Sequence, residues 1–315
     1  MINIYTREDN RLKEIEAPGY KSWINVYPPF SHENLRKLGE QLDIPFDFLI
    51  DSLDVDERSR FEAEDGIELI VMKTPILNDK ESETDALYIT IPLGIIITKD
   101  VILTLSPYEN PVIDWFVNGK GKNFDPADRS NFVLRIFERN VYYFLYFLNE
   151  INNKRNIFEN ELHNSMRNQE LINLMNIEKT LVYFVTSLRS NELMMLKIQR
   201  LDFLHISKKE HEKDLLQDIL IDNSQALEMA NIYTNILSGT MDAFASLISN
   251  NLNLVMKRLT SVTIVLMVPT LVASFYGMNV NLPMQDQPYA FAVTLLLSVV
   301  LSVILVMVFV RKKWF

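Results

Sequence analysis

The chain has 315 residues, of which 48% are hydrophobic, with a formal net charge of −10 and no cysteine. The lack of cysteine excludes disulfides, thiolate metal centres and cysteine nucleophiles. The acidic balance argues against nucleic acid as a partner, because phosphate backbones attract lysine and arginine.

Residues 1–126 are predicted to form a cytoplasmic α/β domain, because short β-rich runs alternate there with helical stretches. The predicted strands cover residues 23–27, 67–72, 87–91, 95–98 and 101–105, and the predicted helices cover residues 32–42 and 45–53. Between Asp43 and Asp85 the segment carries 14 acidic and 4 basic residues. Most acidic clusters of this kind form solvated surfaces.

The next segment is predicted to be mostly helical, because it has no proline between Pro126 and Pro269 and Gly239 is its one glycine. We expect three long helices, over residues 127–166, 169–206 and 211–276. Residues 127–210 form the long cytoplasmic helices in this division, and residues 211–258 form a stalk. A helix of about 65 residues needs lateral partners, so we expect the chain to oligomerise around it.

Two uncharged runs near the C-terminus predict two membrane helices. Residues 259–276 and 289–310 would span about 27 and 33 Å, close to the hydrocarbon core of about 30 Å. We assign residues 259–279 to the first transmembrane helix, which would line the pore, and residues 280–288 to an outer loop. Residues 289–310 are assigned to the second transmembrane helix and residues 311–315 to a basic cytoplasmic tail. A buried helical hairpin is the alternative.

Basic residues flank both spans and are missing from the loop between them. This basic collar consists of Lys257, Arg258, Arg311, Lys312 and Lys313. Because positive charge stays on the cytoplasmic side, the pattern predicts a multi-pass protein of the cell (inner) membrane with both termini in the cytoplasm.

One face of the first span carries hydroxyl residues and a methionine at alternating spacings of 3 and 4 residues, which places them on one side of a helix. This polar stripe consists of Thr260, Thr263, Met267, Thr270 and Ser274. The pattern is typical of tight helix packing and of a water-accessible pore wall, and both interpretations stay open. Thr294, Ser298 and Ser302 on the second span predict packing against a neighbouring helix.

Neither span contains a charged residue. Proton-coupled pumps and carriers of charged substrates usually need an ionisable group within the membrane. The sequence therefore favours a passive route lined by carbonyl, amide and hydroxyl oxygens.

The segment Tyr276-Gly277-Met278-Asn279 follows the polar stripe directly. Gly277 can end a helix in a left-handed conformation, and Asn279 offers an amide oxygen. Neutral oxygens suit Mg²⁺, which dehydrates reluctantly and keeps several waters. An ordinary helix cap is the alternative interpretation.

In this context the Tyr-Gly-Met-Asn segment, at the end of the first of two C-terminal membrane helices, resembles the signature of the CorA family of magnesium channels. The run Asn-Leu-Val-Met-Lys-Arg-Leu-Thr at residues 253–260 is similar to the entry segment of that family, and residues 311–315 are similar to its basic, aromatic-ended tail. The resemblance covers the whole chain in architecture and is specific at the residue level from about Asp218 onward.

The resemblance implies an α+β membrane protein: an N-terminal cytoplasmic α/β domain, a long helical stalk and two C-terminal transmembrane helices, assembled as a homopentameric funnel. It implies a channel for Mg²⁺, with Co²⁺ and Ni²⁺ as further candidate ions. Gly277, Met278 and Asn279 would form the selectivity filter. The implied pore-lining and gate residues are Asn253, Met256, Leu259, Thr263, Met267, Thr270 and Ser274.

Three features depart from the family pattern. Ser274 stands where glycine is common, and residues 267–270 read Met-Val-Pro-Thr where the family has Met-Pro-x-Thr. Asp286 is the only acid of the outer loop, so the attraction of cations at the outer mouth is expected to be weaker or differently placed.

In the CorA family, acidic residues between adjacent subunits bind intracellular Mg²⁺ and hold the channel closed. The segment Asp51-Ser52-Leu53-Asp54 resembles the one that gives a ligand, and Asp218 on the stalk helix would give its partner. Asp54 and Asp222 are possible substitutes. Mg²⁺ is therefore expected as both transported and regulatory ion, and the expected partners are further copies of the chain, the lipid bilayer and divalent cations.

No phosphate-binding loop, nucleophile elbow or histidine pair at metal-ligand spacing is present in the sequence, so we expect no enzyme. Two other functions stay open. One is a zinc transporter of the same fold, although that branch carries a branched aliphatic residue at the position of Met278. The other is a membrane-anchored scaffold or sensor without transport.

Overall fold

The computed structural model describes residues 2–8, 11–19, 21–78, 85–119, 124–165, 168–284, 287–312 and 314. It divides into two compact units, Met1–Ser238 and Gly239–Phe315. Lys313 of the predicted collar and Asp286 of the predicted outer loop lie outside the described residues.

The first unit is built on a seven-stranded mixed sheet. In chain order its strands are β1 (Ile2–Glu8), β2 (Arg11–Ile15), β3 (Ser22–Val26), β4 (Arg60–Glu64), β5 (Ile67–Leu77), β6 (Tyr88–Ile97) and β7 (Val101–Leu105). Their spatial order is β2-β1-β3-β7-β6-β5-β4. Strands β3 and β7 run parallel, and the other described neighbours pair antiparallel.

Helices cover both faces of the sheet. In chain order the described helices are α1 (His32–Leu42), α2 (Phe46–Asp51), α3 (Pro111–Val117), α4 (Arg129–Ser165), α5 (Asn168–Leu201), α6 (Glu210–Tyr276) and α7 (Ala290–Arg311), with a short 3₁₀ turn at Ile206–Lys208; those on the sheet are α1 to α5 and the start of α6. Ser31 caps α1 by accepting a hydrogen bond from the Asn34 N–H, and Asn110 caps α3 in the same way.

The alternation of side chains along the strands creates two hydrophobic cores. Ile24 and Leu69 join the core that packs against α1 and α2. Their neighbours Trp23 and Ile70 point the other way and join the core formed with α3, α4, α5 and the first turns of α6. The first unit is therefore a three-layer arrangement of helices, sheet and helices.

Buried asparagines fasten the long helices to the sheet. Asn191 of α5 accepts hydrogen bonds from the Ser59 hydroxyl (2.6 Å) and the Lys73 N–H (2.9 Å), and it donates to the Lys73 carbonyl (2.8 Å). Asn140 of α4 donates to the same carbonyl (3.0 Å). Both asparagines are fully buried, so their amides satisfy backbone groups that water cannot reach.

Parts of the sheet differ from the sequence-based expectation. Strands β1, β2 and β4 and helix α3 were not predicted, and β6 is one strand where two were expected. Pro92 is tolerated inside β6 because β7 pairs only with residues 94–97, which leaves that edge of β6 without a strand partner at the proline. The three predicted long helices are present as α4, α5 and α6, although α5 ends at Leu201 rather than at residue 206.

The second unit contains the end of α6 and all of α7. Both helices have segments long and apolar enough to cross a membrane, and most of their large side chains are exposed, for example Leu266 (66%) and Phe291 (80%). Exposed apolar surface of this extent requires lipid or another protein surface to cover it.

Candidate ion pathway and regulatory residues

The polar stripe lies on an exposed face of α6. Thr260, Thr263, Met267, Thr270 and Ser274 are all exposed in the single chain, as are Asn253, Met256 and Leu259 toward the start of the span. Ser261 and Val272, on the opposite side of the helix, are buried. The stripe is therefore available to water or to another subunit.

The threonine hydroxyls of the stripe are already oriented by the helix backbone. Thr263 donates to the Leu259 carbonyl (2.9 Å), and Thr270 donates to the Leu266 carbonyl (3.2 Å). Each hydroxyl has thus used its only proton, and its oxygen retains lone pairs as acceptors. Such oxygens can accept hydrogen bonds from the waters of a hydrated cation.

The hydroxyl residues of α7 face the protein interior. Ser298 is 6% exposed, and Thr294 and Ser302 are half-buried. All three donate to the carbonyl four residues earlier at 2.9 Å. This burial agrees with the packing role expected for them.

The signature segment begins where α6 ends. The Gly277 N–H donates to the Ala273 carbonyl (2.9 Å), and the Met278 N–H donates to the Phe275 carbonyl (3.2 Å). The expectation of a left-handed helix cap at Gly277 is wrong, because the φ angle of Gly277 is not positive. The helix instead closes with a tighter bond between residues three apart, which needs no left-handed residue.

The residues after Gly277 leave the helix and are exposed. Met278 is 52% exposed, and Asn279 is exposed as well. Gly277 also lines a groove of about 510 Å³ between the ends of the two helices that flank their connecting loop, together with Tyr276, Pro269 and Phe291.

The basic collar lies at the opposite end of the two spans, with aromatic contacts. Arg258, Arg311 and Lys312 are exposed. Trp314 stacks on Phe309 at 5.3 Å between ring centroids, and the Lys257 ammonium lies 5.6 Å from the Trp314 ring centroid. The tail is thereby tied to the first residues of the apolar part of α6 by a cation–π contact.

Asp51 is engaged within its own chain. It ends α2, and its carboxylate pairs with the Arg60 guanidinium at 2.6 Å. Arg60 also approaches Glu62 (3.3 Å) and Glu57 (3.6 Å), so one cation serves three carboxylates. This role of Arg60 was not predicted, because Arg60 begins β4, a strand that the sequence did not indicate.

Asp218, the other expected regulatory ligand, lies on an exposed part of α6, as does Asp222. Within the described residues, no group of three or more histidine, aspartate or glutamate side chains is arranged to hold a metal ion. A site using Asp51 and Asp218 would therefore need ligands from more than one chain.

A buried lysine lies beneath the acidic segment that follows α2. Burial lowers the pKa of Lys73, whereas the charges of Asp56, Asp54 and Glu57 act to raise it. The Lys73 ammonium donates to the Val55 carbonyl (2.5 Å). Lys73 thus holds this acidic segment against the sheet.

Comparison with known proteins decides the family. The model of the CorA-like Mg²⁺ transporter protein family matches residues 20–313. The chain belongs to that family. Its resemblance to CorA proteins is therefore confirmed, and the family is one of transporters rather than enzymes.

Individual relatives of this CorA-family chain support the assignment over most of its length. The cobalt/magnesium transport protein CorA of Methanocaldococcus jannaschii is 29% identical, over 96% of this chain and 95% of the relative. The protein of the same description from Thermotoga maritima is 24% identical, over 93% of this chain and 83% of the relative.

A solved structure confirms the predicted fold class. The complete structure of the CorA magnesium transporter from Methanocaldococcus jannaschii superimposes with a TM-score of 0.83 and 24% identity, covering 100% of this chain and 99% of that one. The chain is thus a membrane protein with an N-terminal mixed-sheet domain, a long helix and two apolar C-terminal helices.

Proposed function

We propose that this chain forms a homopentameric channel that moves Mg²⁺, and also Co²⁺, into the cytoplasm. Family membership over residues 20–313 supports Mg²⁺ as the transported ion, and the similarity to two cobalt/magnesium transport proteins supports Co²⁺. The observation that carries the pore assignment is the exposure of the whole polar stripe along one face of α6, ending at the signature segment.

In this proposal the stripes of neighbouring subunits surround a central aqueous path. Exposed apolar side chains on the remaining faces of the two helices contact lipid or the adjacent subunit. The basic collar lies at the cytoplasmic surface, which places both termini inside the cell. Asn253, Met256 and Leu259 line the cytoplasmic entrance, and the stripe lines the membrane part.

Gly277, Met278 and Asn279 form the proposed filter at the outer mouth. An ion that keeps its water can be selected by carbonyl and amide oxygens that bind the hydration shell. A Cβ built on Gly277 would lie 3.4 Å from the Ala273 carbonyl oxygen and 3.6 Å from that of Ser274, which are ordinary contacts. The single chain therefore tolerates alanine there, and the proposed need for glycine arises from the narrow ring of subunits.

Mg²⁺ bound between subunits by Asp51 and Asp218 is proposed to keep the channel closed. The bound ion offsets carboxylate repulsion, and its loss at low Mg²⁺ lets like charges separate the subunits and loosen the pore. Because Asp51 is paired with Arg60 in the single chain, the ion has to compete with this guanidinium.

The proposal is tested by Mg²⁺ uptake into liposomes containing the purified protein. Asn279→Ala should abolish most of the uptake, whereas Asn281→Ala removes the same side chain two residues away and should leave it intact. Gly277→Ala should fold normally and lose uptake. Parallel measurements with Co²⁺ and Zn²⁺ separate this function from zinc transport.

Two results would contradict the proposal. The absence of any cation uptake would favour a membrane-anchored scaffold or sensor, and equal uptake by wild type and Asn279→Ala would remove the filter assignment. The regulatory part is tested separately: Asp218→Asn should weaken the inhibition of uptake by Mg²⁺ on the cytoplasmic side, and unchanged inhibition would reject it.

A further inference from the structure

The sheet of the first unit contains a topological switch point. Strands β3 and β7 are parallel neighbours, with Val26 paired to Leu105 at their carboxyl ends. The chain leaves β3 toward α1, which packs on one face of the sheet, and leaves β7 toward α3, which packs on the other face. Adjacent parallel strands whose continuations diverge in this way leave a crevice, the usual ligand position in open α/β sheets.

A half-enclosed cavity of about 220 Å³ occupies this crevice. Its polar lining comes from β1, from the segments around the ends of β3 and β7, and from α3. The lining residues include Asn3, Tyr5, Asn25, Tyr27, Glu109 and Asp114. A concave site with a few convergent polar groups is the expected form of a small-molecule site.

Hydrogen bonds fix the inner wall of the crevice. Asn25, which is 7% exposed, accepts from the Thr104 hydroxyl (2.9 Å) through its amide oxygen. The Asn3 amide group donates to the Tyr5 hydroxyl oxygen (3.2 Å) and accepts from the Tyr27 hydroxyl (3.5 Å). The wall is therefore organised before any ligand binds, which reduces the cost of binding.

The crevice carries uncompensated negative charge. Glu109 and Asp114 both line it, and none of the described residues that line it is lysine, arginine or histidine. Desolvation and the nearby charge of Glu109 raise the pKa of Asp114. Two carboxylates that repel each other at one cavity are stabilised by a cation placed between them.

We propose that this crevice binds a small organic cation bearing primary amines. An ammonium group offers three hydrogen-bond donors to the carboxylates and amide oxygens, and tyrosine rings attract such cations through their π faces. At about 30 Å³ for each water-sized group, the cavity holds about seven non-hydrogen atoms, the size of a short diamine.

A tightly held metal ion fits the crevice less well. Within the described part of the chain no three carboxylate or histidine side chains converge, and a bare divalent ion needs several such ligands. The site is also independent of the proposed pore, because its residues belong to the first unit and none of them takes part in the ion pathway.

The test uses the full-length protein in detergent, with putrescine as the probe. Thermal unfolding and titration calorimetry should detect saturable binding of putrescine and none of 1,4-butanediol, which has the same length without charge. The double variant Glu109→Gln/Asp114→Asn should bind putrescine at least tenfold more weakly. Glu228→Gln removes an exposed acid outside the crevice and should bind like the wild type.

Three results would overturn the proposal. The first is equal binding of putrescine by the double variant and by Glu228→Gln, and the second is equal binding of butanediol and putrescine by the wild type. The third is a response to Mg²⁺ alone that the double variant loses, which would assign the crevice to a divalent ion. The comparison of the two probes needs no variant, so a double variant that failed to fold would still leave the proposal open to refutation.

Discussion

Gly94 of β6 allows the end of α2 to pack directly on the sheet. A Cβ built at Gly94 would lie 2.1 Å from the Ser52 hydroxyl oxygen and 2.3 Å from the Ser52 Cβ. Ordinary contacts begin at 3.4 Å, so Gly94→Ala forces a displacement of more than 1 Å. Ser52 is fully buried and donates to the Phe48 carbonyl at 2.6 Å, so its side chain has no free space to enter.

We expect Gly94→Ala to cost about 1–3 kcal/mol, the usual range for overpacking a closed core. For a unit of this size about 2–4 °C of Tm corresponds to each kcal/mol, so the unfolding midpoint should fall by about 2–12 °C. Thermal unfolding of the purified protein, followed by circular dichroism, measures the shift. Because Asp51 precedes Ser52, the displacement should also alter the inhibition of transport by Mg²⁺.

Two further variants identify the cause. Ser52→Gly removes the clashing atoms, so in the Gly94→Ala background it should restore part of the lost stability, with a coupling energy of about 1 kcal/mol or more. Gly239→Ala is the matched control, since a Cβ there meets nothing within 4 Å. The packing argument would be refuted if Gly94→Ala were as stable as the wild type, or if the effects of Gly94→Ala and Ser52→Gly on stability were simply additive.

Three other predictions follow from single contacts. Burial raises the pKa of Glu68 from 4.5 to about 7 against the opposing effect of Arg129. Between these two pH values the folded state holds a proton that the unfolded state releases, so the stability of the fold should decrease as the pH rises from about 4.5 to 7. A pH series of unfolding midpoints should show this decrease for the wild type and a flatter curve for Glu68→Gln. Asn191→Ala leaves the buried Lys73 N–H of β5 without its acceptor and should cost about 1–3 kcal/mol in a denaturation experiment. A loss near zero would contradict that role. Arg60→Gln removes a half-exposed ion pair worth up to about 1 kcal/mol, so the Mg²⁺ concentration for half-maximal inhibition of uptake should fall about two- to fivefold. An unchanged or higher concentration would argue against competition between Arg60 and Mg²⁺ at Asp51.

The long helices were predictable because local sequence alone determines them. The segment between Pro126 and Pro269 contains a single glycine, and few other features are needed to specify helix there. Strands β1, β2 and β4 were missed because polar residues outnumber apolar ones in each of them, and they become strands only by pairing with neighbours in the sheet. The Asp65-Gly66 turn, where both residues have positive φ, has a sequence typical of hairpins, but it was not used to predict the β4–β5 hairpin.

The candidate sites also differ in whether local sequence is enough to predict them. The polar stripe could be recognised because residues on one helical face follow directly from their spacing. The pairing of Asp51 with Arg60 could not, since it depends on β4 lying beside the end of α2. The crevice at β3 and β7 requires the strand order itself, which the sequence does not reveal before the fold is known.

Cysteine accessibility tests the central claim most directly, because the chain has no cysteine of its own. Thr263 and Val262 are adjacent on α6 and both exposed in the single chain, but they differ by about 100° around the helix. With the protein in liposomes, a charged, water-soluble thiol reagent should modify Thr263→Cys and block Mg²⁺ uptake, while leaving Val262→Cys unmodified and active. If the reagent modified Val262→Cys and did not react with Thr263→Cys, the result would contradict a water-filled path along the polar stripe.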